Sequence, residues 1–249
     1  KGDKTMKKTF ILLFAMITMI YAKDNPQILR ANYFEAKAGK SAQFVKGLKD
    51  HTTKFHQTLD HAVNTWEVVA GDRTGQFLRT TYHQGWVDFD EYQDLPGDPS
   101  HWERSITPHV KSTSGNVFWE FNAELSHNPP KTPPKMFAFW KVQYKAGGWK
   151  KHHDALLKVR QAQKENNSKS QIIVYSKAIG GEGRMYAIGV ALDGWADLNP
   201  GAMSLYEMLE TSFGEGAGNK ILQARSEAVE KYESEVLLFR PDLSTPLSK

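Results

Sequence analysis

Residues 33–40 read Tyr-Phe-Glu-Ala-Lys-Ala-Gly-Lys and residues 141–148 read Lys-Val-Gln-Tyr-Lys-Ala-Gly-Gly, so that 108 positions separate Gly39 from Gly147. A second match, Gly85-Trp86-Val87-Asp88-Phe89 against Gly194-Trp195-Ala196-Asp197-Leu198, falls at an offset of 109. Two matches at nearly one offset mark an internal repeat. The repeat decides the fold, because each copy must then be one supersecondary unit.

Each copy is expected to run strand, helix, strand, strand, helix, strand. In the first, a strand over 28–37 leads into a helix over 40–59, whose Phe44, Leu48, Phe55 and Leu59 form one stripe of helical period. Strands over 63–70 and 76–84 flank the turn Gly71-Asp72-Arg73-Thr74-Gly75. A helical region over 87–111, broken by Leu95-Pro96-Gly97-Asp98-Pro99, precedes a closing strand over 116–122. The second copy repeats the order: strand 136–145, a helix through Leu156 and Val159, strands 171–179 and 184–192 about Gly180-Gly181-Glu182-Gly183, helical pieces over 195–211 and 219–231, and strand 232–239. The units span 23–125 and 136–241, joined by the proline-rich connector Ser126 to Lys135, with a tail at 242–249. The fold class is α+β: two tandem ferredoxin-like βαββαβ units. A sheet with helices on one face must cover the other, and two such sheets facing one another do this within one chain. Trp66, Val68 and Ala70, with Tyr186, Ile188 and Val190, are expected to line the space between the sheets.

Met6, Lys7 and Lys8 precede the apolar run Phe10 to Ile20, which ends at Tyr21-Ala22. A basic start, an apolar core too short to span a bilayer and a small residue at the end are the pattern of a secretory signal peptide of the bacterial Sec type, which places the protein in the periplasm or outside the cell without stable membrane insertion after cleavage. Residues 1–22 hold Lys1, Lys4, Lys7 and Lys8 against Asp3, three of the chain's four net positive charges, so the remainder is near neutrality. No basic stripe is present, which argues against nucleic acid as a partner. The chain has no cysteine, so neither a disulfide framework nor a thiol nucleophile is available.

With the Lys-Ala-Gly-Lys turn after the opening strand, the long amphipathic helix, the hairpin and the tryptophan that starts the second helical region, the chain resembles the dimeric α+β barrel superfamily, in particular its antibiotic-biosynthesis-monooxygenase-like and NIPSNAP-like branches. The resemblance implies an intramolecular barrel that binds a small apolar or aromatic molecule, either as a monooxygenase-like enzyme or as a non-catalytic binding module. A narrower resemblance, to haem-degrading monooxygenases, rests on Asn32 seven residues before Gly39, on Trp102, and on His109 further along. It implies His109 as an axial haem ligand and Asn32 as a hydrogen-bond donor to a bound oxygen species.

Arg79 and His83 stand on one strand face where the second copy has Ile188 and Leu192, which suits a site confined to one unit and also suits an exposed strand face. Asn32, His83 and His109 are thus the catalytic candidates, with Arg79, Trp102, Trp66 and Trp86 against the substrate. His51, His56 and His61 are spaced by five, which turns them to different sides of a continuous helix, so His51 is read as a satisfied core histidine and no metal is expected. His152 and His153 open the second unit's helix, where a core role is favoured over proton transfer. No cofactor is expected, with haem as the alternative that the narrower resemblance implies. Because the two units pair with each other, a monomer or a weak homo-oligomer is expected.

Overall fold

The computed structural model describes residues 27–199 and 201–246; the leader expected over residues 1–22 lies outside them. The first unit comprises β1 (Ile28–Ala36), α1 (Ser41–Phe55), β2 (Asn64–Ala70), β3 (Phe77–His83), α2 (Val87–Glu91), α3 (Asp98–Ser105), β4 (Val110–Thr113) and β5 (Val117–Phe121). The second comprises β6 (Met136–Tyr144), α4 (Trp149–Glu165), β7 (Ile172–Ile179), β8 (Met185–Leu192), α5 (Leu205–Phe213), α6 (Ala217–Glu227) and β9 (Val229–Phe239).

All strand pairs are antiparallel. The order β5-β1-β3-β2 of the first unit repeats as β9-β6-β8-β7 in the second, and the pairs β2–β9 and β5–β7 join the two sheets into a closed eight-stranded barrel. The short β4 is an addition beside the end of β1. The fold is therefore the intramolecular dimeric α+β barrel that the resemblance implied.

Alternation along each strand sends one set of side chains into the barrel and the other toward the helices. The barrel is filled by Leu29, Tyr33, Trp66, Val68, Trp119, Tyr175 and Leu237 among others. Trp66 and Val68 are thus where the sequence placed them, but β8 stands in the opposite phase. Ala187 faces the barrel, whereas Tyr186 and Ile188 pack with Leu156 of α4. Both faces of β8 are buried, so alternation of polarity carries no information there. Size decides instead: a Cβ on Gly189 would meet Phe137 Cδ1 at 3.1 Å, so only a small residue fits opposite the aromatic rings.

Helix α1 ends at Phe55, short of the expected residue 59, and Leu59 is 80% exposed. His56 leaves helical geometry with φ −124 and ψ 52, and the Thr52 carbonyl accepts from both the His56 backbone N–H and the Gln57 side chain. The His56 ring then donates to the His61 carbonyl at 2.7 Å, which holds the chain in the turn. The region expected to be helical up to Lys111 instead ends at a 3-10 turn, Thr107–His109, and yields β4. The segment after β9 docks on the first unit. Leu243 is fully buried, its carbonyl accepts from the hydroxyls of Thr52 and Thr65, and Thr245 exchanges two hydrogen bonds with Val63. No helix among the described residues is long and apolar enough to cross a membrane.

Candidate functional site

Between the sheet of the first unit and its helices lies a cavity of about 210 Å3, lined among others by Arg30, Asn32, His51, His56, Arg79, Asp98 and Trp102. The strand register builds one wall. Asn32 stands opposite Arg79, and Arg79 opposite Thr65, so the three share the face turned to α1 and α3. Helix α1 supplies the second wall, because its buried positions Phe44, Gly47, Leu48, His51, Thr52 and Phe55 follow the helical period. Helix α3 supplies the third. It begins after Gly97, whose φ of +88 allows the sharp entry that the Leu95-Pro96-Gly97-Asp98-Pro99 break encodes, and it presents Asp98, His101 and Trp102.

The polar contacts are specific. His51 Nε2 lies 3.3 Å from Asp98 Oδ1 and His51 Nδ1 lies 3.2 Å from His101 Nδ1. His51 is 1% exposed, and burial, followed by the neighbouring His56, Arg79 and His101, lowers its pKa to about 3. Burial and the Arg79 charge lower His56 to about 4, so both rings are neutral. Asp98 is pushed up by burial and by Asp94, against the pull of Arg79.

Arg79 is buried, and its guanidinium donates to the hydroxyls of Thr52 at 3.2 Å and Thr65 at 3.4 Å while lying 5.7 Å from the Trp102 ring centroid. Burial lowers its pKa to about 10, which leaves it charged at neutral pH. Among the described residues no carboxylate stands within ion-pair distance of it. Asn32 is held by the hydroxyls of Thr113 at 2.5 Å and Ser114 at 3.2 Å, which donate to its carbonyl oxygen. In the second unit the matching positions are apolar: Val174 and Ile188 of the sheet pack with Leu156, and Ala155, Val159, Ala162, Leu209 and Ile221 pack between the helices.

Of the residues singled out in the sequence, Asn32, Arg79 and Trp102 meet in this cavity. The catalytic set Asn32, His83 and His109 is not assembled. His83 packs at a tilt on Phe89, ring centroids 4.0 Å apart, and faces separate cavities at the barrel mouth and beside Leu59, while His109 sits in the 3-10 turn after α3 and lines none of these spaces. His109 lies in the 3-10 turn Thr107–His109 and is not among the residues that line the cavity shared by Asn32 and Trp102, so that cavity does not bring together the three residues of the expected haem arrangement. Trp66 belongs to the barrel interior. Trp86 is 37% exposed and packs on Phe89 and Phe118.

His51 is buried and satisfied, as expected. The expectation that helical spacing keeps the histidines apart fails, because α1 ends before His56 and His61 lies in a separate 3-10 turn. The His51 and His56 ring centroids are 5.1 Å apart. Asp98, His101 and Arg30 were missed. An acidic residue between glycine and proline does signal a helix start, yet nothing along the chain tells which helix face that carboxylate will meet. In the second unit His152 is fully buried with Nε2 unpaired, and His153 bonds the Tyr186 hydroxyl at 2.9 Å.

By fold the chain is a dimeric α+β barrel protein. Solved structures to which it is similar include a candidate monooxygenase from Lactobacillus acidophilus, with a TM-score of 0.55 at 9% identity over 89% of this chain and 96% of that one. An anthrone oxidase-like protein gives a TM-score of 0.54 at 9% identity over 88% and 92%. A mutant chlorite dismutase from Candidatus Nitrospira defluvii gives 0.52 at 8% identity over 88% and 93%. At such identities the likeness is one of fold alone. No family profile and no curated protein matches the chain.

Proposed function

We propose that the protein binds a small aromatic anion in the first unit's cavity and acts on it as a monooxygenase-like oxidoreductase. Arg79 carries this reading. A guanidinium taken out of water with no carboxylate in ion-pair contact is costly, and an incoming anion would complete the pair. The Trp102 ring and Phe34 offer an aromatic wall beside it, and the Asn32 amide offers further polar contact. The fold shared with a candidate monooxygenase and an anthrone oxidase-like protein supports oxidation of an aromatic ring as the reaction class. The leader read at residues 1–22 supports a place in the periplasm or outside the cell.

Salicylate, an aromatic ring bearing a carboxylate, is the probe. Its binding, followed by calorimetry, is expected to weaken by about tenfold or more in Arg79→Gln, the loss of one charge-assisted pair. Equal affinity in both proteins would sink the site. Binding that depends on Arg79 but is accompanied by no oxygen consumption with any of a set of hydroxybenzoates would leave the non-catalytic binding module in place of the enzyme.

A further inference from the structure

We propose that His51, His56 and Asp98 form a two-histidine, one-carboxylate site for a divalent transition-metal ion, opening onto the cavity that holds Arg79. One ring nitrogen from each histidine and one carboxylate oxygen lie within 4.8 Å of one another, and all three residues are buried. His51 Nε2 and Asp98 Oδ1 are 3.3 Å apart, within the spacing of about 3.0–3.4 Å that two ligands adopt around an ion bound at about 2.0–2.2 Å. Two imidazoles and a carboxylate with open positions beside them are a donor set typical of non-haem iron(II) and related divalent ions.

The surroundings orient these ligands. His56 donates its Nδ1–H to the His61 carbonyl at 2.7 Å, which leaves Nε2 with a free lone pair. His51 has His101 Nδ1 at 3.2 Å from its own Nδ1, so a metal on Nε2 puts the His51 proton on Nδ1, donating to His101. The exposed Asp94 and Asn116 at the cavity rim leave a way in from solvent.

The same cluster is hard to explain as packing, since the second unit fills the matching space with Val159, Ala162, Leu209 and Ile221. With the ion bound, Asp98 balances only one of its two charges, and Arg79 adds another positive charge to the same cavity. A monoanionic ligand held between the ion and Arg79 then offsets one of these two remaining positive charges. That last step rests on the proposed small-molecule function, whereas the metal site itself does not.

Untagged full-length chain is titrated with Co(II), read by its visible absorption and by calorimetry. One ion per chain is expected. His51→Gln and His56→Gln are each expected to weaken binding by at least tenfold, and His101→Phe, which leaves all three ligands in place, by a smaller factor. Thermal melts with and without Zn(II) show which variants are folded: the wild type should gain stability from the ion and the folded ligand variants should not. If His51→Gln does not fold, His56→Gln carries the test. No stoichiometric binding by the wild type, or binding unchanged in the folded variants, would overturn the site. A haemin Soret shift that depends on His51 would overturn it as well, by assigning that imidazole to a haem iron. Co(II) binding without salicylate binding would sink the small-molecule reading alone, and salicylate binding that ignores EDTA in a chain that takes no Co(II) would sink the metal site alone.

Discussion

Arg79 puts a positive charge among hydroxyls and an indole ring, where an apolar residue of similar length would be cheaper. The hydroxyls of Thr52 and Thr65 that it contacts also donate to the Leu243 carbonyl, so they stay satisfied without it. Arg79→Met is therefore expected to raise the stability of the unliganded protein, by about 1 kcal/mol in a urea melt, while abolishing salicylate binding. A loss of stability of that size would mean that Arg79 holds the unit together and is not kept for a ligand. Arg79 was legible in the sequence as a polar residue standing where the second unit has Ile188. Asp98 was not, because it marks the start of a short helix and its partner is nearly fifty residues earlier. His109 misled because seven residues, about two helical turns, separate it from Trp102, whereas α3 ends at Ser105 and His109 falls in a separate 3-10 turn.

Helices α1 and α3 come close enough that Gly47 is the one residue type the contact accepts: a Cβ there would lie 2.3 Å from the Ser105 carbonyl oxygen. Alanine is the better helix former by about 1 kcal/mol, so Gly47→Ala would stabilise an isolated α1. In the folded chain it has to push α3 outward, and a net destabilisation of about 1–3 kcal/mol is expected in a denaturant melt, with weaker Co(II) binding because Asp98 moves with α3. A more stable Gly47→Ala variant would show that α3 is free to shift without consequence. The elements themselves were largely legible from their periods. Their ends were less so: the stop at Phe55 is made by His56 bonding back to His61, a contact between residues that a helical pattern places on opposite sides. The phase of β8 was hidden for a different reason, since both of its faces are apolar and only the bulk of Phe137 and Ile173 opposite Gly189 distinguishes them.

At the scale of the molecule, the repeat of 108 and 109 positions announced two equal units, and pairing of β2 with β9 and of β5 with β7 makes them one barrel. Each of the eight barrel strands has a neighbour on both sides, so no barrel edge is left for a second copy to extend. Light scattering is expected to give the mass of one chain; a stable dimer as the smallest species would show that the surface outside the barrel carries an interface. The units differ at matching positions, with Arg79 and His51 in the first where the second has Ile188 and Val159, as one unit keeping a site while the other supplies the closing sheet would require.

The place of β9 in the circle has a consequence for synthesis. It is the last of the described strands in chain order, and it fills the gap between β2 and β6. A nascent chain that has not yet reached Val229 therefore carries both of those strands with one side unpaired, and the C-terminal turn that covers Thr52 and Thr65 is still missing. The turn at Leu243 that accepts from Thr52 and Thr65 beside the first unit's cavity is made after β9, so that support reaches the first unit only once the second has been synthesised.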